Sequence, residues 1–202
     1  MPSIYNLKPK FQNLLRPFTR ALAGAGVTAN HVTLAALLLS AAAGTCIAVF
    51  PTQRWPLLVM GPVLFVRMAL NAMDGMLARE HGMKSALGAI LNEIGDVVAD
   101  AALYLPLAFV PGFDPMLVVM AVLLGVFTEM TGVVGVQIGA SRRYDGPFGK
   151  SDRAFAFGAM SLLVGLGVPR GRWITVALAA MIVLLTITVF NRARKALQEL
   201  KK

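Results

Sequence analysis

The sequence has 202 residues, of which 57% are hydrophobic and only 14% are charged, and its formal net charge is +9. This apolar share is too high for an ordinary soluble domain and is typical of a protein that crosses the membrane several times. The positive charge does not require nucleic acid as a partner, because cationic loops that face an anionic leaflet produce the same balance.

Residues 1–30 are predicted to form an amphipathic juxtamembrane segment. Four apolar residues have spacings that place them on one helical face: Leu14, Leu15, Phe18 and Leu22. Arg16 and Arg20 lie elsewhere around the same helix. The segment lacks the apolar core of a secretory signal, so we expect it to belong to the mature protein as an interfacial helix on the cytoplasmic surface.

Six mainly apolar segments of 15 to 26 residues follow and are predicted to be transmembrane helices. They cover residues 32–50, 55–78, 85–110, 116–140, 154–168 and 173–190. The predicted fold is therefore an all-α integral membrane domain over residues 31–192, with six transmembrane helices after the amphipathic segment. A basic cytoplasmic tail is predicted over residues 193–202.

The distribution of Lys and Arg predicts the orientation of these helices. Basic residues concentrate in the N-terminal segment, in the turns near residues 80 and 145, and in the tail, whereas the opposite loops hold Arg54, Arg170 and Arg172. The positive-inside rule then places both termini in the cytoplasm. The single cysteine, Cys46, excludes an intramolecular disulfide.

Polar residues interrupt the second and third predicted spans, in "NAMDGMLARE" and "GAILNEIGDVVAD". Helical spacing gives two polar stripes: Asn71, Asp74 and Ala78 on one helix, and Asn92, Asp96 and Asp100 on the next. The turn at 81–84 is short, so the helices should be antiparallel neighbours whose stripes meet. Oxygen ligands near the cytoplasmic face suit Mg²⁺ or Mn²⁺. Gly75 and Gly88 leave room for a ligand or a close helix.

The spacing D-G-x2-A-R-x8-G, with flanking acidic positions, resembles the signature of the CDP-alcohol phosphotransferase family. The matching residues are Asp74, Gly75, Ala78, Arg79 and Gly88, with Asp96 at the last acidic position. "TANHVT", residues 28–33, is similar to the polar entry of the family's first span. The resemblance implies a multi-pass protein of the bacterial cytoplasmic membrane with an N-terminal helix, six spans, a site that faces the cytoplasm, and a homodimer.

The resemblance also implies a transferase of phospholipid biosynthesis. In that reaction a CDP-linked lipid such as CDP-diacylglycerol gives its phosphatidyl group to an alcohol, and CMP leaves. One or two Mg²⁺ or Mn²⁺ ions would neutralise the pyrophosphate. By resemblance, Asp74 would bind metal, Arg79 would hold the donor, and Asp96 would act as metal ligand and general base. Gly75, Ala78 and Gly88 would belong to the donor site.

The sequence departs from the family pattern at the first and third acidic positions, which are Asn71 and Asn92. Each asparagine keeps an oxygen that can coordinate a metal but removes one negative charge. Three consequences stay open. The site binds one metal tightly and a second weakly, Glu93 or Asp100 supplies the missing charge, or the site binds CDP-lipid without transferring it.

Lys150 and Arg153 lie in the basic run at residues 141–154. This run is either a plain cytoplasmic loop or, at a helix that starts at Ser151 or Asp152, a cradle for an acceptor or lipid phosphate. The second interpretation favours a phosphorylated alcohol over a plain small alcohol as the acceptor.

Two charged residues within the spans carry open interpretations. Arg67 either pairs with a carboxylate of the site or contacts donor phosphate. Glu129 either serves the site or pairs with Arg67 or a backbone group. His31 and His81 are predicted to be interfacial.

Two functions of other classes remain as alternatives to the enzyme. An ion-coupled transporter would also bury such charges, but it should show broken helices in both halves of the chain. A binding or regulatory membrane protein would recognise the CDP-lipid without releasing CMP.

Overall fold

The computed structural model describes residues 7–201, with side chains from residue 10 onward. The predictions for residues 1–6 and for Lys202 lie outside the described residues. Within the described range all regular structure is helical, which confirms the all-α class. The α-helices are α1 (Leu7–Gly24), α2 (Ala29–Val49), α3 (Trp55–Glu80), α4 (Ala86–Tyr104), α5 (Pro115–Gln137), α6 (Lys150–Gly165) and α7 (Arg172–Glu199).

Four of these helices, α2, α3, α5 and α7, are long and apolar enough to cross a membrane. Helix α4 has 19 residues and carries Glu93, Asp96 and Asp100, and α6 has only 16 residues. Composition alone therefore does not mark α4 and α6 as membrane spans. Four of the six predicted spans meet this criterion, and the spans at α4 and α6 stay predictions.

Local chemistry explains where α4 and α6 depart from their predicted bounds. Helix α4 gives way to a 3-10 helix at Leu105–Phe109, because Pro106 has no N–H for an α-helical hydrogen bond. Helix α6 begins at Lys150, slightly before the predicted start. The Gly149 N–H donates to the Asp152 carboxylate over 2.8 Å, which places the first helical residue at Lys150.

Helix α7 continues nine residues beyond the predicted span end at Phe190, into the segment predicted as a tail. Arg192 is 2% exposed and Ala196 is buried. Helix α7 therefore extends into residues 193–199, and Ala196 packs against the rest of unit 2.

The chain divides into two compact units, of which unit 1 comprises residues 1–42 and 62–99. Its core includes Ala29, Val32 and Leu77. The amphipathic, interfacial role of α1 stays a prediction. Leu15 is buried, whereas Leu14 and Phe18 are 67% and 62% exposed.

Unit 2 comprises residues 43–61 and 100–202. Helices α5 and α7 pack together, and Tyr104 stacks on Phe157 with ring centroids 4.4 Å apart. Helices α2 and α4 approach closely at Gly44, where a Cβ atom would collide with the carbonyl oxygen of Ala102. Glycine at this position thus permits backbone contact between two helices.

Candidate active site

Asp96 is held by two residues of α3. The Asn71 side-chain amide donates to Asp96 Oδ1 over 3.3 Å. One turn earlier, the Arg67 guanidinium donates to the Asp96 carbonyl oxygen over 3.3 Å. The polar stripes of α3 and α4 therefore meet at Asn71 and Asp96. Arg67 thus contacts the backbone of this site, and its pairing with a carboxylate or with donor phosphate stays a prediction.

Asp74 lies on the same helix but faces α2. It is 6% exposed, and its Oδ2 atom is 3.1 Å from the Thr33 hydroxyl. The same hydroxyl lies 3.1 Å from the Ala29 carbonyl of its own helix. Sequence reasoning gave no role to Thr33, although it ends the polar "TANHVT" entry that the family resemblance singled out.

The glycines of the signature make room for polar neighbours. A Cβ atom at Gly75 would lie 3.0 Å from the Arg79 guanidinium, so Arg79 folds back over that glycine. A Cβ atom at Gly88 would lie 2.9 Å from Asn30 Oδ1, and the Gly88 N–H donates to Ser85 Oγ over 2.9 Å. Larger residues at either position would displace these groups. The signature therefore describes a packed arrangement as well as a set of ligands.

Ala78 and Asn92 complete the predicted set in unit 1. Ala78 is half-buried and packs against the cluster of Ala29, Val32 and Leu77, so its small side chain serves packing. Asn92 is exposed on α4, one turn before Asp96. Its carboxamide is thus available at the surface of unit 1.

The donor set fits a hard divalent cation better than a soft one. Asp74 and Asp96 offer carboxylate oxygens, and Asn71 and Asn92 offer carboxamide oxygens, which are the ligands that Mg²⁺ and Mn²⁺ prefer. Across residues 7–201, no three His, Cys, Asp or Glu side chains gather in a way that would hold a metal ion. The carboxylates of Asp74 and Asp96 together carry two formal negative charges, which equal the charge of one such ion in magnitude.

Unit 2 contains a buried cluster, here termed the arginine cluster, formed by Arg142, Arg153 and Arg192 around Glu129. Glu129 Oε2 accepts from Arg142 and Arg192, each over 3.3 Å, and Oε1 accepts from Arg153 over 3.2 Å. Arg153 also pairs with Asp100 over 2.9 Å. Arg153 and Arg192 are 3% and 2% exposed, so these charges are compensated almost entirely by protein groups.

This cluster changes the interpretation of two predicted residues. Glu129 is bonded to three arginines of unit 2 rather than placed to serve a ligand. Arg153, a predicted phosphate contact, directs its guanidinium to Asp100, Glu129 and the Thr128 hydroxyl. Lys150 opens α6 and is half-buried. Sequence reasoning missed Arg192 because it lies just beyond the last predicted span, which ends at Phe190, and next to the predicted basic tail.

Comparison with known proteins places this arrangement in a family. The family model described as CDP-alcohol phosphatidyltransferase matches residues 26–190. The inner membrane protein YnbA of Escherichia coli is 45% identical over 195 residues, which are 96% of each chain. The archaetidylinositol phosphate synthase of Pyrococcus horikoshii is 29% identical over 102 residues, about half of each chain.

Solved structures agree in fold. The phosphatidylinositol phosphate synthase of Mycobacterium tuberculosis, solved with CDP-DAG bound, superposes with a TM-score of 0.77 at 19% identity, covering 89% of this chain and 92% of that one. The same enzyme in complex with manganese and citrate gives a TM-score of 0.76 at 19% identity, covering 89% and 87%. The sequence signature, the family match and the 45% identical relative together show that this chain belongs to the CDP-alcohol phosphatidyltransferase family.

Proposed function

We propose that the protein is a membrane transferase of phospholipid biosynthesis. It moves a phosphatidyl group from a CDP-linked lipid such as CDP-diacylglycerol to an alcohol and releases CMP. The observation that carries this proposal is the fixation of Asp96 by Asn71 and Arg67 within the family signature. Fixing a carboxylate in this way is what a general base requires.

The membrane arrangement forms part of the proposal. Helices α2 to α7 form six spans of a bacterial inner membrane protein, with both termini and the site toward the cytoplasm. Helix α1 lies at the interface, where the exposed Leu14 and Phe18 enter the lipid and Arg20 meets the headgroups. The family resemblance adds a homodimer.

In the proposed reaction, Asp96 takes the proton of the acceptor hydroxyl as that oxygen attacks the lipid-bearing phosphorus. The bond between this phosphorus and the oxygen of the CMP phosphate breaks, and CMP leaves. Asn71 fixes the direction of the carboxylate, and Arg67 holds the backbone of the same residue, so that Asp96 need not reorganise during proton transfer. Arg79 holds a phosphate oxygen of the donor by a charge-assisted hydrogen bond.

Asp74, Asp96, Asn71 and Asn92 are the residues that would hold a metal ion. A bound Mg²⁺ or Mn²⁺ supplies charge neutralisation at the pyrophosphate and the CMP leaving group. We propose that this chain binds one ion tightly, because asparagine at two of the four positions halves the negative charge available. Thr33 keeps the Asp74 carboxylate in place.

We assign acceptor recognition to the basic entry of α6. Lys150 stands at the first position of this helix, where the backbone N–H groups and the helix dipole favour an anion. Arg153 already pairs with Asp100 and Glu129. We propose Lys150 as the primary phosphate contact because of its place at the start of the helix. This assignment favours a phosphorylated alcohol such as glycerol phosphate.

The decisive experiment is CMP release by the purified protein in lipid vesicles. The protein receives CDP-diacylglycerol, Mg²⁺ or Mn²⁺, and pools of candidate alcohols, and the pools are then divided to identify the acceptor. We expect metal-dependent CMP release that Asp96→Asn abolishes. Asp114→Asn is the matched control, because Asp114 caps α5 through its Oδ1 atom and asparagine caps helices equally well.

A second function is favoured by the two asparagines, which halve the formal charge of the metal site. A chain that binds CDP-diacylglycerol saturably but releases no CMP from any pool would be a CDP-lipid-binding protein. That result would refute the transferase and support the alternative, and the same vesicle preparation yields both measurements.

A further inference from the structure

Four residues of α7 contact the loop that connects α5 to α6. They are Thr188, Arg192, Lys195 and Glu199, separated by four, three and four positions. Residues with this spacing lie on one face of a helix. We call this set the α7 polar face, and all of its contacts lie within unit 2.

At its first residue, the α7 polar face touches the backbone of the loop. Thr188 Oγ1 accepts from the Phe148 N–H over 3.1 Å. Gly146 has a φ of +131°, and a Cβ atom at this residue would lie 2.5 Å from the Thr188 methyl group. The loop can lie this close to α7 only because residue 146 is glycine.

In the middle of the face, two residues hold Asp145. Lys195 Nζ pairs with Asp145 Oδ1 over 2.7 Å, and Arg192 Nε donates to the Asp145 carbonyl oxygen over 3.4 Å. Asp145 Oδ2 pairs with Arg143 of the loop itself over 2.7 Å. The carboxylate thus links the loop to α7 and also stiffens the loop internally.

At the far end, Glu199 holds the beginning of the loop. Its carboxylate accepts from the Ser141 N–H over 3.0 Å and from the Ser141 hydroxyl over 2.8 Å. It also pairs with Arg143. Each end of the loop and its centre are therefore fastened to α7, although each pair taken alone is partly exposed.

We propose that residues 188–199 of α7 hold residues 141–148 in a fixed position, an arrangement here termed the splint. Lys195 and Glu199 are then positioning residues for recognition of the acceptor phosphate. The loop leads through Gly149 directly into Lys150, so the fastening fixes the start of α6. The acceptor part of this inference rests on the proposed function. Arg192 and Lys195 thus have a structural role in addition to their contribution to the positive charge of this segment.

The test compares the double variant Lys195→Gln/Glu199→Gln with Arg194→Gln, which removes a cation from an exposed position outside the α7 polar face. Hydrogen exchange reports on the amides of residues 141–148. We expect faster exchange in the double variant by about two- to fivefold, as partly exposed ion pairs of modest strength imply, and no change in Arg194→Gln. Lys195→Arg, which keeps the charge, should exchange like the unmodified protein.

The kinetic arm measures KM for the phosphorylated acceptor, KM for CDP-diacylglycerol, and kcat. We expect only the acceptor KM to rise, because a general loss of structure would change all three. Unchanged exchange in the double variant overturns the splint, and faster exchange with an unchanged acceptor KM overturns the positioning role.

A separate arm distinguishes failure of this inference from failure of the transferase. If the unmodified protein releases no CMP, glycerol phosphate serves as a binding probe. Protection of residues 149–153 by the probe, lost in the double variant, supports the positioning role, and absence of protection in the unmodified protein overturns it.

Discussion

Asn71 illustrates how one residue can contribute to a site in two ways. Its amide nitrogen donates to Asp96, and its presence in place of a carboxylate removes a charge from the proposed metal ligands. A second divalent ion would then lack compensation for its charge. The same substitution at position 92 has the same electrostatic effect.

Restoring both carboxylates should change the number of bound ions. For Asn71→Asp/Asn92→Asp we expect tight Mn²⁺ binding to rise from about one ion per chain to about two, because each pair of carboxylates neutralises one divalent ion. Equilibrium dialysis with detection of Mn²⁺ by electron paramagnetic resonance measures this number. Asn191→Asp on α7 is the control, and equal stoichiometry in the double variant and the unmodified protein would contradict the one-ion site.

Glu129 has the opposite electrostatic role, since it compensates three arginines. Glu129→Gln keeps the shape of the side chain but removes the carboxylate that three arginines share. We expect a loss of about 3–5 kcal/mol, the usual cost of an uncompensated buried charge. Thermal unfolding in detergent measures the loss. Glu80→Gln, which breaks the exposed pair with Arg16, should cost far less.

For individual residues, the sequence predicts contacts between successive helices but not contacts between distant segments. The spacing within α3 and α4 placed Asn71 and Asp96 on facing stripes, because a short turn leaves two successive helices few alternatives. The partners of Asp74 and Glu129 include Thr33 and Arg192, which lie 41 and 63 positions away. No periodicity connects residues so far apart, and only the folded chain shows these pairs.

Among the elements, helices α2 and α4 depend on glycine for their contact. Gly44→Ala should destabilise the protein by about 1–3 kcal/mol, because the new methyl group displaces the Ala102 carbonyl. Gly61→Ala is the matched control, since a Cβ atom there meets nothing within 4 Å. In that helix interior, alanine should stabilise by about 0.5–1 kcal/mol. Equal effects of the two substitutions on thermal unfolding would contradict the close contact.

The link between α7 and the α5–α6 loop predicts a dependence on pH. The hydrogen bond from Lys195, with a further contribution from Arg143, holds the pKa of Asp145 below its ordinary value. Because the pKa of Asp145 is lower in the folded state, its ionised carboxylate stabilises the loop at pH values above the ordinary aspartate pKa of about 3.9. This stability is lost as the pH falls through the folded pKa.

A spin label on Tyr144→Cys, in a Cys46→Ala background, reports the mobility of the loop. We expect an immobile label at neutral pH and a mobile one only below about pH 4, where Asp145 begins to protonate. With Asp145→Asn added, the label should be mobile throughout. A label that loosens near neutral pH in the unmodified loop would assign the transition to another group.

Helix positions were predicted more accurately than helix ends. The predicted segments overlap every helix after α1, and hydropathy alone is sufficient for α2, α3, α5 and α7, because apolar runs of span length have few other uses. Hydropathy ended α7 at Phe190, since the residues that follow are polar. Those residues remain helical through contacts with Asp145 and Ser141, which hydropathy does not register.

For the whole molecule, the proposed six spans predict which turns face which side of the membrane. His81→Cys, in the turn between α3 and α4, should react with a membrane-impermeant thiol reagent only from the cytoplasmic side. Gln53→Cys, between α2 and α3, should react only from the opposite side. Cys46→Ala removes the single natural cysteine, and labelling of both positions from one side would refute the crossing of α3.

The contacts between α7 and the α5–α6 loop also determine when unit 2 can finish folding during synthesis. Lys195 is made 50 residues after Asp145, which at about 5–20 residues per second corresponds to roughly 3–10 s of translation. During that interval the ribosome has already produced the loop and α6, but the residues that hold them are absent. The start of α6 therefore acquires its final position only after α7 has emerged. A stalled chain that ends within α7 would expose the cationic α5–α6 loop without its contacts to Lys195 and Glu199.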